Sequence, residues 1–170
     1  MSPLDRYQIL LQQGVVLPDP GQLAAAESLQ DLHEKLHKHL KTAQSGVLTL
    51  RRLLGRKPEP PRGLYLWGGV GRGKTFLMDI FFECLATEHK HRTHFHRFMQ
   101  RIHRRLGELQ GTPDPLDSIG QELAEEYRVL CLDEFFVMDI GDAMLLAGLL
   151  RSLFAHGLVL VTTSNFPPEE

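Results

Sequence analysis

Cysteine is nearly absent from this chain: Cys84 and Cys131 are its only two, too few for a disulfide framework. Cys131 lies inside an apolar run, where a buried thiol is expected. Long apolar runs are missing too, and even Met144–Leu150 falls far short of the roughly 20 residues that span a bilayer. Neither sign of charge dominates, with 19 basic against 21 acidic residues and a formal charge of −2. That balance argues against a broadly basic nucleic-acid-binding surface. The start, Met1-Ser2-Pro3-Leu4-Asp5, shows no basic stretch followed by an apolar one, so no secretory signal is expected. The early acid and the few arginines near the start, where Arg6 stands alone before Arg51, disfavour a mitochondrial transit peptide. Repeats and low-complexity tracts are also lacking. These absences together predict a cytoplasmic protein with no integral membrane segment.

What is present is ordinary in bulk and specific in detail. With 42% hydrophobic and 24% charged residues over 170 positions, the chain can bury one good core. Residues 1–57 read as a helical arm. A first short segment carries Leu4, Tyr7, Ile9, Leu10 and Leu11. After Pro18-Asp19-Pro20, a longer helix carries Leu23, Ala26, Leu29, Leu32, Leu36 and Leu40 at helical spacing. A stiff link, Pro58-Glu59-Pro60-Pro61, opens the remaining region, 58–170. There strands and helices alternate. Strands are expected at Leu64–Leu66, Thr93–Phe95, Val129–Leu132 and Leu158–Thr163. Helices are expected at Lys74–Ala86, Phe98–Leu109, Pro115–Glu126 and Ala143–Ala155. This alternation predicts an α/β fold, a parallel sheet sandwiched by helices, with its chemistry at the carboxyl ends of the strands.

The segment Gly68-Gly69-Val70-Gly71-Arg72-Gly73-Lys74-Thr75 reads G-x-x-x-x-G-K-T between an apolar strand and a helix that opens with Phe76. That is the context of a phosphate-binding P-loop. Its glycines let backbone N–H groups approach a phosphate, and the helix N-terminus adds a favourable dipole. Residues Gly68 to Phe76 are therefore expected to bind nucleotide. Lys74 would reach the β- and γ-phosphates, and the Thr75 hydroxyl would hold Mg²⁺.

Two further strand ends supply partners for that loop. Val129–Leu132 is apolar throughout, as a strand buried on both faces should be, and ends in Asp133-Glu134. Asp133 suits the Mg²⁺-associated aspartate of P-loop enzymes, and Glu134 suits a carboxylate that polarises the attacking water. Leu158–Thr163 leads to Ser164-Asn165. Asn165 is the candidate to hold the water or γ-phosphate; alternatively it serves the turn before Pro167-Pro168.

Together these stretches resemble a known family. Gly63–Thr75, His94-Phe95-His96-Arg97-Phe98-Met99, Leu132–Val137 and Thr163-Ser164-Asn165 are similar to motifs of the ZapE family, bacterial relatives of mitochondrial Afg-type AAA+ ATPases. The likeness runs from about Asp19 to the last residue. The resemblance implies ATP with Mg²⁺, hydrolysis aided by Glu134, and Asn165 as the sensor. It also implies a protein partner, the division protein FtsZ for bacterial members, and admits assembly into a homo-oligomer. Members of that family continue past the Asn-x-Pro-Pro segment into another core strand, an arginine finger and a helical lid. Their absence here implies an incomplete core, a phosphate-loop strand left at the sheet edge, and slow or no turnover by this chain alone.

Other features carry less. His89, His91, His94, His96 and His103, with His33 and His37 on one helix face, complete no recognisable metal-ligand set. Lys90, Arg92, Arg97, Arg101, Arg104 and Arg105 form a basic stretch that reads as a solvated helix face or an intersubunit surface. Phe135-Phe136 reads as core packing. A DNA-linked ATPase of helicase-loader type and a nucleotide-binding module without turnover stand as alternatives.

Overall fold

The computed structural model describes residues 1–44 and 59–168. The first helix, α1 (Pro3–Gln12), starts at a reciprocal cap: the Asp5 N–H donates to Ser2 Oγ and the Ser2 N–H to Asp5 Oδ2, each at 3.3 Å. The second, α2 (Pro20–Gln44), starts where the Asp19 carboxylate accepts from the N–H groups of Gly21 and Gln22 at 2.7 and 3.0 Å. Then follow β1 (Leu64–Trp67), α3 (Lys74–Cys84), β2 (Lys90–His94), α4 (Phe95–Glu108) and α5 (Pro115–Glu126). The chain continues through β3 (Val129–Asp133), α6 (Ile140–Ala155) and β4 (Val159–Ser164). The expected boundary between residues 57 and 58, and Pro58 itself, lie outside the described residues.

All strand pairs are parallel, in the order β1-β4-β3-β2. The chain therefore crosses the whole sheet from β1 to β2 and returns strand by strand. Every side chain of β3 is buried. The two-residue period of a strand sorts its side chains between two cores. Val129 and Cys131, with Val159 and Val161 of β4, join Leu77, Phe81, Tyr7, Leu29 and Leu36 beneath α1, α2 and α3. Leu130 and Leu132 join Phe98, Ile102, Leu123, Leu149 and Leu153 beneath α4, α5 and α6. Helices thus cover both faces, and the N-terminal helices supply part of one core. Burying Phe81 alone, at 0% exposure, stabilises the fold by about 1.5–3 kcal/mol.

Several boundaries differ from expectation, most by a residue or two and the following by a physical cause. Strand β2 covers Lys90–His94 rather than Thr93–Phe95, and Phe95 already belongs to α4, which starts ahead of Phe98. His94 thus ends β2 while His96 lies in α4, and their rings stack with centroids 6.0 Å apart. Helix α6 starts at Ile140 rather than Ala143, because Asp139 Oδ1 accepts from the Asp142 N–H at 2.8 Å and caps it. Helix α3 stops at Cys84, where Lys90 Nζ takes the freed carbonyls of Phe82 and Leu85 at 2.8 and 3.0 Å. Among the described residues, no helix is long and apolar enough to cross a membrane.

Candidate functional site

The Gly-rich loop leaves β1 and enters α3 through Gly73, whose φ of 77° is left-handed. No side chain caps this helix start, so its first N–H groups stay available to an anion. A Cβ at Gly73 would stand 2.9 Å from Gln22 Nε2, so the start of α2 packs directly against the loop. A second tie joins the same parts, Arg72 to Asp19 at 3.4 Å. Lys74 Nζ donates to the carbonyls of Gly68 and Gly69 at 2.7 and 2.9 Å, and burial holds its pKa below the ordinary lysine value.

Asp133 ends β3 and is 6% exposed. Arg92 of β2 donates to it through Nε at 2.7 Å and through a terminal nitrogen at 3.4 Å, and also bonds Asp79 of α3. Burial opposes the Arg92 charge, but the hydrogen bonds to Asp133 and Asp79 outweigh it and raise the pKa above arginine's ordinary value. Thr163 Oγ1 donates to Asp133 Oδ1 at 3.3 Å and accepts from the Glu134 N–H at 3.2 Å. The threonine thus fixes both acids from the neighbouring strand. Glu134 adopts φ 56°, a left-handed conformation costly for a residue with a Cβ. That turn aims its carboxylate outward, with the side chain 75% exposed and Oε2 3.9 Å from His94 Nδ1. Ser164 Oγ donates to the Phe135 carbonyl at 2.8 Å, which ties the end of β4 to the same turn.

These strand ends open onto adjoining clefts. One of about 410 Å³ is bordered by the loop from Val70 to Phe76, by Glu134 and by Asn165. A second, of about 360 Å³, lies between Thr75, Asp133, His94 and Arg97. A third, of about 660 Å³, lies between Gly68, Gly69, Lys74 and the start of α2. All the expected site residues therefore border these three clefts. The hydroxyl of Thr75 and the carboxylate of Asp133 are hard oxygen donors on one cleft, which suits Mg²⁺ completed by phosphate oxygens and water. Among the described residues there is no cluster of three or more His, Cys, Asp or Glu that could hold a metal by itself.

Sequence reasoning missed four participants. Asp19 and Gln22 meet the loop across a long chain separation, although Asp19 before Pro20 is a helix-start signal that could have been followed. Thr163 reads in sequence as the end of a strand, with no sign that its hydroxyl meets both acids. Arg92 belongs by sequence to a basic stretch that reads as a solvated helix face or an intersubunit surface, yet its side chain is only 18% exposed because it lies between Asp79 and Asp133. Arg101 and Arg105 do lie on the outer face, paired with Glu126 and Glu122. The Phe135-Phe136 expectation divides: Phe135 packs against Phe95 at 4.6 Å, but Phe136 is 46% exposed and stacks on Phe166.

Known proteins resemble this chain in sequence and in fold. The family model described as AFG1-like ATPase matches residues 1–170. The chain is 47% identical over 177 positions to the cell division protein ZapE of Escherichia coli K12, across all of this chain and 47% of ZapE. It is 46% identical over 125 residues to lactation elevated protein 1 homolog B of Danio rerio, covering 67% of this chain and 25% of that protein. The chain thus spans about half the length, or less, of these relatives. Two solved structures share the fold at 14% identity: AMPPCP-bound DnaA from Aquifex aeolicus and the DnaC helicase loader. Their TM-scores are 0.60 and 0.59, covering 91% and 88% of this chain and 41% and 73% of theirs. The fold is that of the P-loop NTPases, and the match along every residue makes this chain a member of the AFG1-like ATPase family.

Proposed function

We propose that this chain carries the nucleotide site of a cytoplasmic ATPase, which binds ATP with Mg²⁺ and, in the complete protein, hydrolyses it to control a protein partner. The carrying observation is the convergence of Lys74, Thr75, Asp133, Glu134 and Asn165 from three strand ends onto adjoining clefts. The N–H groups at the start of α3 receive the phosphates, where the helix dipole favours negative charge. Lys74 exchanges the carbonyls of Gly68 and Gly69 for phosphate oxygens. Thr75 and Asp133 would hold Mg²⁺, which when bound neutralises phosphate charge. Glu134, exposed on the adjoining cleft that Thr75 and Asn165 also border, accepts the proton of the attacking water, and Asn165 orients that water or the γ-phosphate. The similarity to ZapE, a cell division protein by name, favours a division-related partner, FtsZ by the family resemblance.

Titration with a fluorescent ATP analogue tests the site. Wild type should saturate, whereas Lys74→Ala should show no saturable binding at about 100 times the wild-type Kd, with its melting temperature unchanged. Equal affinity for the two would remove the assignment. One observation keeps a DNA-linked reading in view: Arg97 and Arg104 are exposed and form no ion pair among the described residues. Hydrolysis stimulated by single-stranded DNA, with steeply salt-dependent binding, would favour that reading.

A further inference from the structure

Arg92 sits where no nucleotide-binding residue was expected, on β2 at the far edge of the sheet from the phosphate loop. Its register partner is Cys131, so it shares a sheet face with Asp133 two residues further on, and that face is the one covered by α3. A guanidinium this buried is costly unless its donors are used. Here they are divided between two acids: Nε and one terminal nitrogen on Asp133, the other terminal nitrogen on Asp79. Asp79 lies one helical turn beyond Thr75 on the same side of α3. The guanidinium therefore spans the helix that carries Thr75 and the strand that carries Asp133, and both of those residues border one cleft with it.

We propose that Arg92 is a positioning residue for the metal site: by bridging Asp79 and Asp133, it sets the separation and orientation of the Thr75 hydroxyl and the Asp133 carboxylate that receive Mg²⁺ with the nucleotide. The proposal rests on the reading that Thr75 and Asp133 hold the metal. A planar fork suits this task because its donors point in fixed, divergent directions, which a lysine ammonium cannot reproduce. Asp133 retains acceptor capacity beyond the Arg92 and Thr163 bonds, since an ionised carboxylate offers about four lone-pair sites. Partners that orient a metal ligand in this way typically affect metal affinity by about 10–100-fold.

The test separates nucleotide affinity from its dependence on the metal. Binding of the fluorescent ATP analogue is titrated in EDTA and then across free Mg²⁺ concentrations, for the 170-residue chain and its variants. For Arg92→Met, affinity in EDTA should stay within about twofold of wild type, because the loop and Lys74 are untouched. The Mg²⁺ concentration for half-maximal tightening should rise about tenfold or more. Arg92→Lys should recover part of that shift, Asp79→Asn should show a smaller one, and Arg105→Gln on the outer face of α4 should show none. Circular dichroism checks folding; if Arg92→Met does not fold, Arg92→Lys and Asp79→Asn carry the same comparison. An unchanged Mg²⁺ midpoint, or equal loss of affinity with and without Mg²⁺, overturns the proposal. Wild-type binding that Mg²⁺ does not tighten overturns the underlying metal reading, and the two failures are thereby distinguished.

Discussion

The two faces of the sheet solve the same packing problem with different materials. Beneath α4, α5 and α6 the buried side chains are mostly aliphatic and aromatic; Ser152 donates to Asp117 Oδ1 at 2.8 Å, and the Thr162 hydroxyl, beside Leu132 on that face, is the exception, without a hydrogen-bond partner among the described residues. Beneath α1, α2 and α3 the core is interrupted by working groups. Lys90 binds the carbonyls that end α3, Arg92 bridges two acids, and the buried Tyr7 hydroxyl has no hydrogen-bond partner among the described residues. The phosphate loop opens on this second side. One face therefore supplies stability, while the other gives up some of it to hold charges and loop backbone in place.

Three substitutions sharpen or break that contrast. Glu134→Gln has the largest expected effect: turnover by a hydrolysis-competent form falls about 10²–10⁴-fold while ATP affinity and melting temperature hold. Steady-state phosphate release beside equilibrium binding measures this, and an unchanged rate would remove Glu134 from the chemistry. Next comes Leu149→Ala in the more apolar core, at 0% exposure, which should cost about 2–5 kcal/mol in urea unfolding. The folded fraction should bind ATP normally, and an affinity loss without a stability loss would show that the faces are not divided as described. Smallest is Tyr7→Phe on the working face. Removing a buried, unpartnered hydroxyl should leave stability unchanged or raise it by up to about 1 kcal/mol, whereas a clear loss would reveal a hydrogen bond the geometry does not show.

Legibility in the sequence followed the same division. Strands β3 and β4 could be read because continuous apolar runs mark strands buried on both faces. The Gly-rich loop could be read because G-x-x-x-x-G-K-T between a strand and a helix is a recognisable pattern in itself. Strand β2 was placed too late, since Lys-His-Arg-Thr-His offers no apolar signal and half-buries its side chains through hydrogen bonds and stacking contacts instead. The start of α6 was missed because Ile140 and Met144 are exposed, 80% and 73%, so the helix opens without a buried stripe to announce it. The roles of Arg92, Gln22 and Thr163 depend on partners remote in the chain, and local patterns do not record them.

The strand order also dictates the sequence of events during synthesis. Among the described residues, strand β1, which presents the phosphate loop, pairs with β4 alone, and β3 pairs with β4 on its other side. Until the segment Val159–Ser164 has left the ribosome, β1 has no strand partner among the described residues, while β2 and β3 can already pair with one another. The loop emerges early yet acquires its scaffold late, a long-range closure of the kind that slows folding. A nascent chain halted before β4 would carry the whole G-x-x-x-x-G-K-T motif and still lack a formed phosphate cradle.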